Sequence, residues 1–106
     1  METVKLNIPD RLYIGQLFGE TGNYSEYNLK KSITEKVSLK KEDIEKYAIK
    51  QDDENGKITW DMEKDAKEPL EAGFTDDEIK YLRGRCEAVN GEKHPDGFWE
   101  MVEKIY

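Results

Sequence analysis

Tyr47-Ala48-Ile49-Lys50-Gln51-Asp52-Asp53-Glu54-Asn55-Gly56-Lys57-Ile58-Thr59-Trp60 is the stretch in which the hydrophobic period of the chain changes. Upstream of it, apolar residues recur every three or four positions, the spacing that lines one face of a helix. Within it, Tyr47, Ile49 and Gln51 alternate with Ala48 and Lys50, and Ile58 and Trp60 flank Thr59. A two-residue period sends successive side chains to opposite faces of an extended strand. The Asn55-Gly56 pair between the two runs tolerates the positive φ of a tight reversal. The stretch therefore predicts a β-hairpin, and an α+β fold instead of an all-helical one.

Towards the N-terminus, Leu39, Ile44, Tyr47 and Ala48 lie along one side of a helix expected over about 39–48, with Ser38 placed to cap it. Leu29, Ile33 and Val37 recur every four residues with Tyr27 beside them, and Asn23 and Glu26 have the spacing of a capping box; these predict a helix over 24–37. Gly19 through Gly22 separate it from a short helix over 9–18, opened by Pro9 and carrying Leu12, Ile14, Leu17 and Phe18. Before that, Val4, Leu6 and Ile8 alternate with polar residues as in a short strand.

Towards the C-terminus, residues 66–72 suit a further extended piece, restricted to a sheet edge because Pro69 has no N–H to donate. Thr75-Asp76-Asp77-Glu78 is a capping box, and Phe74 and Ile79 around it are placed to form a hydrophobic staple. Ile79, Leu82, Cys86 and Val89 follow on one helical face, and Asn90-Gly91 suits a left-handed stop. Pro95 opens a last helix with Phe98, Met101, Val102 and Ile105 on its apolar side. The expected order is β-α-α-α-β-β-(β)-α-α. The architecture it implies is a small antiparallel sheet, the hairpin plus one or two edge strands, packed against about five helices in a single domain spanning 1–106.

With 106 residues, a chain buries roughly 60–70% of the surface its unfolded form exposes, enough for stability without staples. Hydrophobic residues are 36% and charged residues 39%, so a thin core under a heavily charged surface is expected. Periodic apolar blocks with caps, and 10% aromatics, argue against disorder. One cysteine, Cys86, cannot form an internal disulfide. The start lacks a basic stretch followed by an apolar run, and no apolar run approaches the ~20 residues of a membrane span. A cytoplasmic location without membrane attachment is the expectation.

The net charge of −7 is unevenly spread: residues 28–50 carry seven lysines against four acids, a net of +3, and residues 51–78 carry eleven acids against three lysines, a net of −8. Such runs are usually solvated faces; read functionally, they give a two-faced molecule with one surface for an acidic partner and one for a basic partner.

Chemistry-bearing patterns are few. Asp52-Asp53-Glu54-Asn55-Gly56 resembles the start of a calcium loop, but placing Gly56 at its sixth position puts Met62 where the bidentate glutamate is required. Cys86 and His94 are the sole cysteine and histidine; Cys86 falls on an apolar stripe and His94 near a helix start as an exposed cap, with no third group to orient a pair. One His and one Cys cannot fill a zinc site. Paired carboxylates need one member in an apolar pocket, and nothing in the sequence marks such a pair. Gly19-Glu20-Thr21-Gly22 lacks the Lys-Ser/Thr of a phosphate loop. No catalytic residue, metal site or cofactor is expected. Trp60, Trp99, Tyr24, Tyr27, Tyr81 and Tyr106 are candidates for a recognition surface, although aromatics more often fill a core, the place expected for Trp60 and Phe98.

Three helices followed by a hairpin is also the order of a winged helix-turn-helix, with 39–48 as recognition helix and Lys30, Lys31, Lys40, Lys41 and Lys46 as the phosphate-contacting cations. Glu42, Asp43, Glu45 and the acidic wing tip oppose that reading, as does a pI near 4.8. The converse is an acidic nucleic-acid mimic, in which 51–78 blocks a DNA-handling protein.

Leu6-Asn7-Ile8-Pro9-Asp10-Arg11-Leu12, Val37-Ser38-Leu39-Lys40-Lys41-Glu42-Asp43-Ile44, Ile58-Thr59-Trp60-Asp61 and Phe74-Thr75-Asp76-Asp77-Glu78-Ile79 together resemble small uncharacterised proteins of bacteriophages and integrated bacterial elements. The resemblance carries no activity. It implies an accessory gene product, a class that binds more often than it catalyses. The expected function is accordingly that of a non-enzymatic accessory or regulatory protein acting through contact with another protein.

Overall fold

Asn7 caps the first helix so that it begins one residue earlier than Pro9 suggests. The computed structural model describes residues 2–52, 54 and 56–106. In it, Asn7 Oδ1 accepts from the Asp10 N–H at 2.9 Å and the Asp10 carboxylate accepts from the Asn7 N–H at 3.0 Å. This capping box starts α1 at Ile8–Tyr13 with Pro9 inside the first turn, where its missing N–H is not needed. A 3₁₀ turn, Ile14–Leu17, follows. The other described elements are β1 (Glu2–Leu6), α2 (Tyr24–Val37), α3 (Lys41–Lys46), β2 (Lys50–Asp52), β3 (Lys57–Thr59), α4 (Met62–Lys67), β4 (Leu70–Phe74), α5 (Asp76–Ala88) and α6 (Asp96–Ile105). The fold is α+β, as the change of period indicates.

The chain divides into two compact units, residues 1–38 with 70–106 and residues 39–69. In the first, β1 and β4 form an antiparallel ladder with Val4 opposite Ala72 and Leu6 opposite Leu70. That register puts the apolar members of both strands on one face. Helices α2, α5 and α6 supply Ile33, Val37, Ile79, Leu82, Phe98, Met101 and Ile105 to the same core, with Phe74, Leu6, Leu82 and Phe98 fully buried. Each such side chain stabilises the folded state by about 1.5–3 kcal/mol through lost water contact. The Thr75 box and the Phe74–Ile79 staple form as read: Thr75 Oγ1 accepts from the Glu78 N–H, and both apolar residues are buried.

The second unit holds the hairpin. β2 pairs with β3 antiparallel, Gln51 opposite Ile58. Gly56 takes a φ of 65°, the left-handed value the reversal needs; its predicted partner in the turn, Asn55, lies outside the described residues, as does Asp53. Tyr47, read as the start of the first hairpin strand, instead ends α3, and its ring is buried with the hydroxyl donating to the Glu68 carbonyl.

Several expectations shift. The two strand pairs form separate two-stranded ladders instead of one sheet, because the 70–74 strand pairs with β1 and not with the hairpin. That strand was expected at 66–72 but runs Leu70–Phe74, because α4 extends to Lys67, started by Asp61, whose Oδ1 accepts from the Lys64 N–H at 3.1 Å. The helix expected over 39–48 covers only 41–46, and Ser38 ends α2 instead of starting α3. Asp43, not a serine, holds the first turn of α3 by accepting from the Lys40 N–H at 2.9 Å. Trp60 is half-buried and outside the core cluster, whereas Phe98 is fully buried. Helix α5 stops at Val89 with φ −91°, without a left-handed residue at Asn90-Gly91.

Candidate functional site

The five lysines of the DNA-binding alternative divide between the units, Lys30 and Lys31 in the first and Lys40, Lys41 and Lys46 in the second. Lys30 donates to the Gly19 carbonyl at 3.0 Å. Lys46 lies 3.8 Å from Glu68 and 5.3 Å from the centre of the Tyr47 ring. Lys31, Lys40 and Lys41 are exposed. Helix α3, the recognition helix of that reading, is six residues long, and no side chain within it is buried.

The arginines are engaged in the fold in a way that composition does not reveal. The chain has three, Arg11, Arg83 and Arg85. Arg11 Nε donates to the Val37 carbonyl at 2.8 Å and its Nη2 to the Ser38 carbonyl at 2.9 Å, closing the end of α2. Arg83 Nε reaches the Ile105 carbonyl at 3.2 Å at the end of α6, and Arg85 Nε the Leu17 carbonyl at 2.6 Å at the end of the 3₁₀ turn. These carbonyls have no partner inside their own helices, and a cation there also complements the helix dipole. Side chains that most often grip phosphate are committed to main-chain oxygens instead. The chain-level charge division likewise does not become a division between units: the first carries fourteen acids and ten bases, the second ten acids and seven, for nets of −4 and −3.

The chemically capable groups are each tied internally. Cys86 is buried on the α5 stripe, and burial pushes its thiol up to about 11, away from thiolate chemistry at neutral pH. His94, expected as an exposed cap, stacks on Phe98 with ring centres 3.9 Å apart, meets Trp99 edge-on at 5.6 Å, and shares a 2.9 Å hydrogen bond with Glu92. Pro95 takes the N-cap position instead, so the imidazole packs as an aromatic. Among the described residues three carboxylates are buried, Asp10, Asp65 and Glu78, where the sequence marks none. Glu78 accepts from Lys36 at 2.5 Å, from Ser32 at 2.7 Å and from the Thr75 N–H at 2.8 Å. Burial alone would raise this carboxyl; the Lys36, Thr75 and Ser32 hydrogen bonds outweigh it and hold the pKa below the ordinary value. Asp10, besides its cap, accepts from Lys104 at 2.5 Å. The Thr75-x-x-Glu78 box is legible in the sequence and the Asn7-x-x-Asp10 box is the one missed; neither pattern by itself marks its carboxylate as buried. Among the described residues no group of three or more His, Cys, Asp or Glu could hold a metal ion, and no helix is long and apolar enough to cross a membrane.

Three surface features of the first unit are left. On α2, Tyr24 and Tyr27 stack with ring centres 6.3 Å apart while 77% and 55% exposed. Tyr24 lies opposite the buried Ile33–Val37 side of the helix and Tyr27 flanks it, and a shallow depression of about 410 Å³ beside Tyr27 is lined by Lys30, Lys31, Thr34 and Glu35. Between α2 and α5 runs an open groove of about 900 Å³ with Ser25, Asn28, Ser32, Lys80, Tyr81 and Arg85 along it. Between α5 and α6 lies a narrower one of about 490 Å³, floored by Cys86, Trp99 and Val102. Comparison of the chain with protein-family models, with curated proteins and with solved structures finds no match.

Proposed function

We propose that this chain is a non-enzymatic accessory protein that acts by binding another protein, in keeping with a small product of a phage or other mobile element. The observation that carries the reading is the stacked, exposed Tyr24–Tyr27 pair on α2. Each tyrosine ring offers a large rigid apolar area and a polar tip at small entropic cost, and tyrosine is enriched at the anchoring points of interfaces. Two such rings side by side are not explained by packing within the unit, because both stay more than half exposed while Ile33 and Val37 of the same helix fill the core. Lys30, Lys31 and Glu35 beside them supply the mixed-charge rim that interfaces usually carry.

The test is affinity capture from an extract of the organism that carries the gene, run with the wild-type chain and with the Y24A/Y27A double variant after equal thermal melts confirm the fold. One or a few proteins held by the wild type and lost with the double variant are the expected result. Capture that is indifferent to the two tyrosines overturns it. A duplex-DNA gel shift that needs Lys40 and Lys41 and weakens steeply with salt would put DNA binding in its place.

A further inference from the structure

The groove between α5 and α6 pairs an apolar floor with a rim of one charge. Cys86 is buried at its base, Trp99 and Val102 are half-buried along it, and Tyr106 stands over it 63% exposed. The charged groups in its lining are Glu87 and Glu103, with no lysine or arginine among them. The Tyr106 hydroxyl donates to Glu87 at 2.7 Å, which leans the ring along the groove and leaves the second carboxylate oxygen of Glu87 to a further donor. Arg83 of α5, the cation nearest Tyr106 and Cys86, is held by the Ile105 carbonyl and Glu2, and Lys104 of α6 is turned to Asp10. A volume of about 490 Å³ lies in the range of ~300–1,000 Å³ of binding clefts, and accommodates one or two large apolar side chains.

From this combination we infer that the α5–α6 groove is a docking site for a basic amphipathic segment of another protein, an apolar anchor on the floor flanked by lysine or arginine against Glu87 and Glu103. Charge complementarity selects that occupant. An acidic or neutral apolar segment would leave both carboxylates facing it uncompensated, whereas a basic segment meets them with charge-assisted hydrogen bonds at the mouth of an apolar floor. A helix presenting leucines at i, i+3 and i+4 with lysines beside them matches this layout. The site is separate from the tyrosine face of α2 and does not depend on it.

The probe is a synthetic helical peptide of leucine and lysine, with a leucine–glutamate peptide and a serine–lysine peptide as controls, titrated into the ¹⁵N-labelled full chain. Amide shifts centred on Glu87, Asn90, Val102, Glu103 and Tyr106 are expected for the leucine–lysine peptide alone. Glu103→Lys should weaken it by about tenfold. Glu63→Lys changes the net charge by the same amount in the second unit and should leave affinity within about twofold, as should Y24A/Y27A. Equal loss with Glu63→Lys would mean attraction to overall charge and would sink the assignment. So would shifts centred elsewhere, binding of the leucine–glutamate peptide with similar strength, or binding of the serine–lysine peptide without the apolar anchor.

Discussion

The two units use their residues in opposite ways. In the first, strands and helices thirty or more residues apart share one apolar core, and three arginines close the ends of helical segments. In the second, Tyr47 and Asp65 are the buried residues among those described, while Ile44, Ile58 and Met62 are 45%, 36% and 70% exposed. A segment this short falls below the ~40 residues at which isolated folds usually manage without metals or disulfides. Its described order rests on local hydrogen bonds: the Tyr47 hydroxyl on Glu68, the Asp61 N–H on the Tyr47 carbonyl at 2.7 Å, and the Asp43 and Asp61 caps. The contrast separates two sources of structure, long-range burial and short-range capping, within one chain.

The contrast breaks first if the core of the first unit is not what holds it. Phe74→Ala, at a fully buried ring, should lower stability by about 3–5 kcal/mol in urea denaturation, through lost transfer energy and the cavity left behind. A loss below about 1 kcal/mol would show that the ladder and helices are held some other way. Next in size is Glu78→Gln, expected to cost about 1–3 kcal/mol at pH 7 because Lys36 keeps its charge and loses its carboxylate. Glu78 has a folded pKa below its unfolded one, so its contribution is present above the ordinary carboxylate range and fades as pH falls through the depressed value. The gap between wild type and variant in thermal melts should therefore narrow as pH is lowered below the ordinary carboxylate range. The smallest effects belong to the second unit. Tyr47→Phe removes one hydroxyl donor and should cost about 1 kcal/mol, read as faster hydrogen exchange at Asp61 and Glu68, and Ile58→Ala should stay within about 0.5 kcal/mol.

The same contrast explains what could be read from the sequence. The long elements of the first unit show plainly: Tyr24–Val37 and the Thr75 box are where periodicity and caps put them, since burial on one helical face demands that spacing. The pairing of β1 with β4 is invisible locally, because nothing in Val4-Lys5-Leu6 names a partner beyond residue 69. Leu70, Ala72 and Phe74 do alternate, but Phe74 also serves the staple of α5, and Pro69 draws the eye to an earlier strand. In the second unit, α4 has no apolar stripe to betray it, only Asp61 and a run of helix-tolerant residues. The candidate surfaces were half legible. Tyr24, Tyr27, Trp99 and Tyr106 stand out as aromatics, yet which of them face outward, and that Glu87 and Glu103 frame Trp99, follows only from how α5 meets α6. The role of the arginines was hidden because a carbonyl at the end of a helix leaves no trace in side-chain chemistry.

Leu6 and Leu70 sit side by side in the ladder although sixty-four positions separate them along the chain. During synthesis at ~5–20 residues per second, β1 leaves the ribosome about 3–13 s before its partner strand has been made. The nascent N-terminal segment must carry Val4, Leu6 and Ile33 through that interval without their mates. Over that interval its lysines and glutamates surround those apolar side chains with hydrated charge.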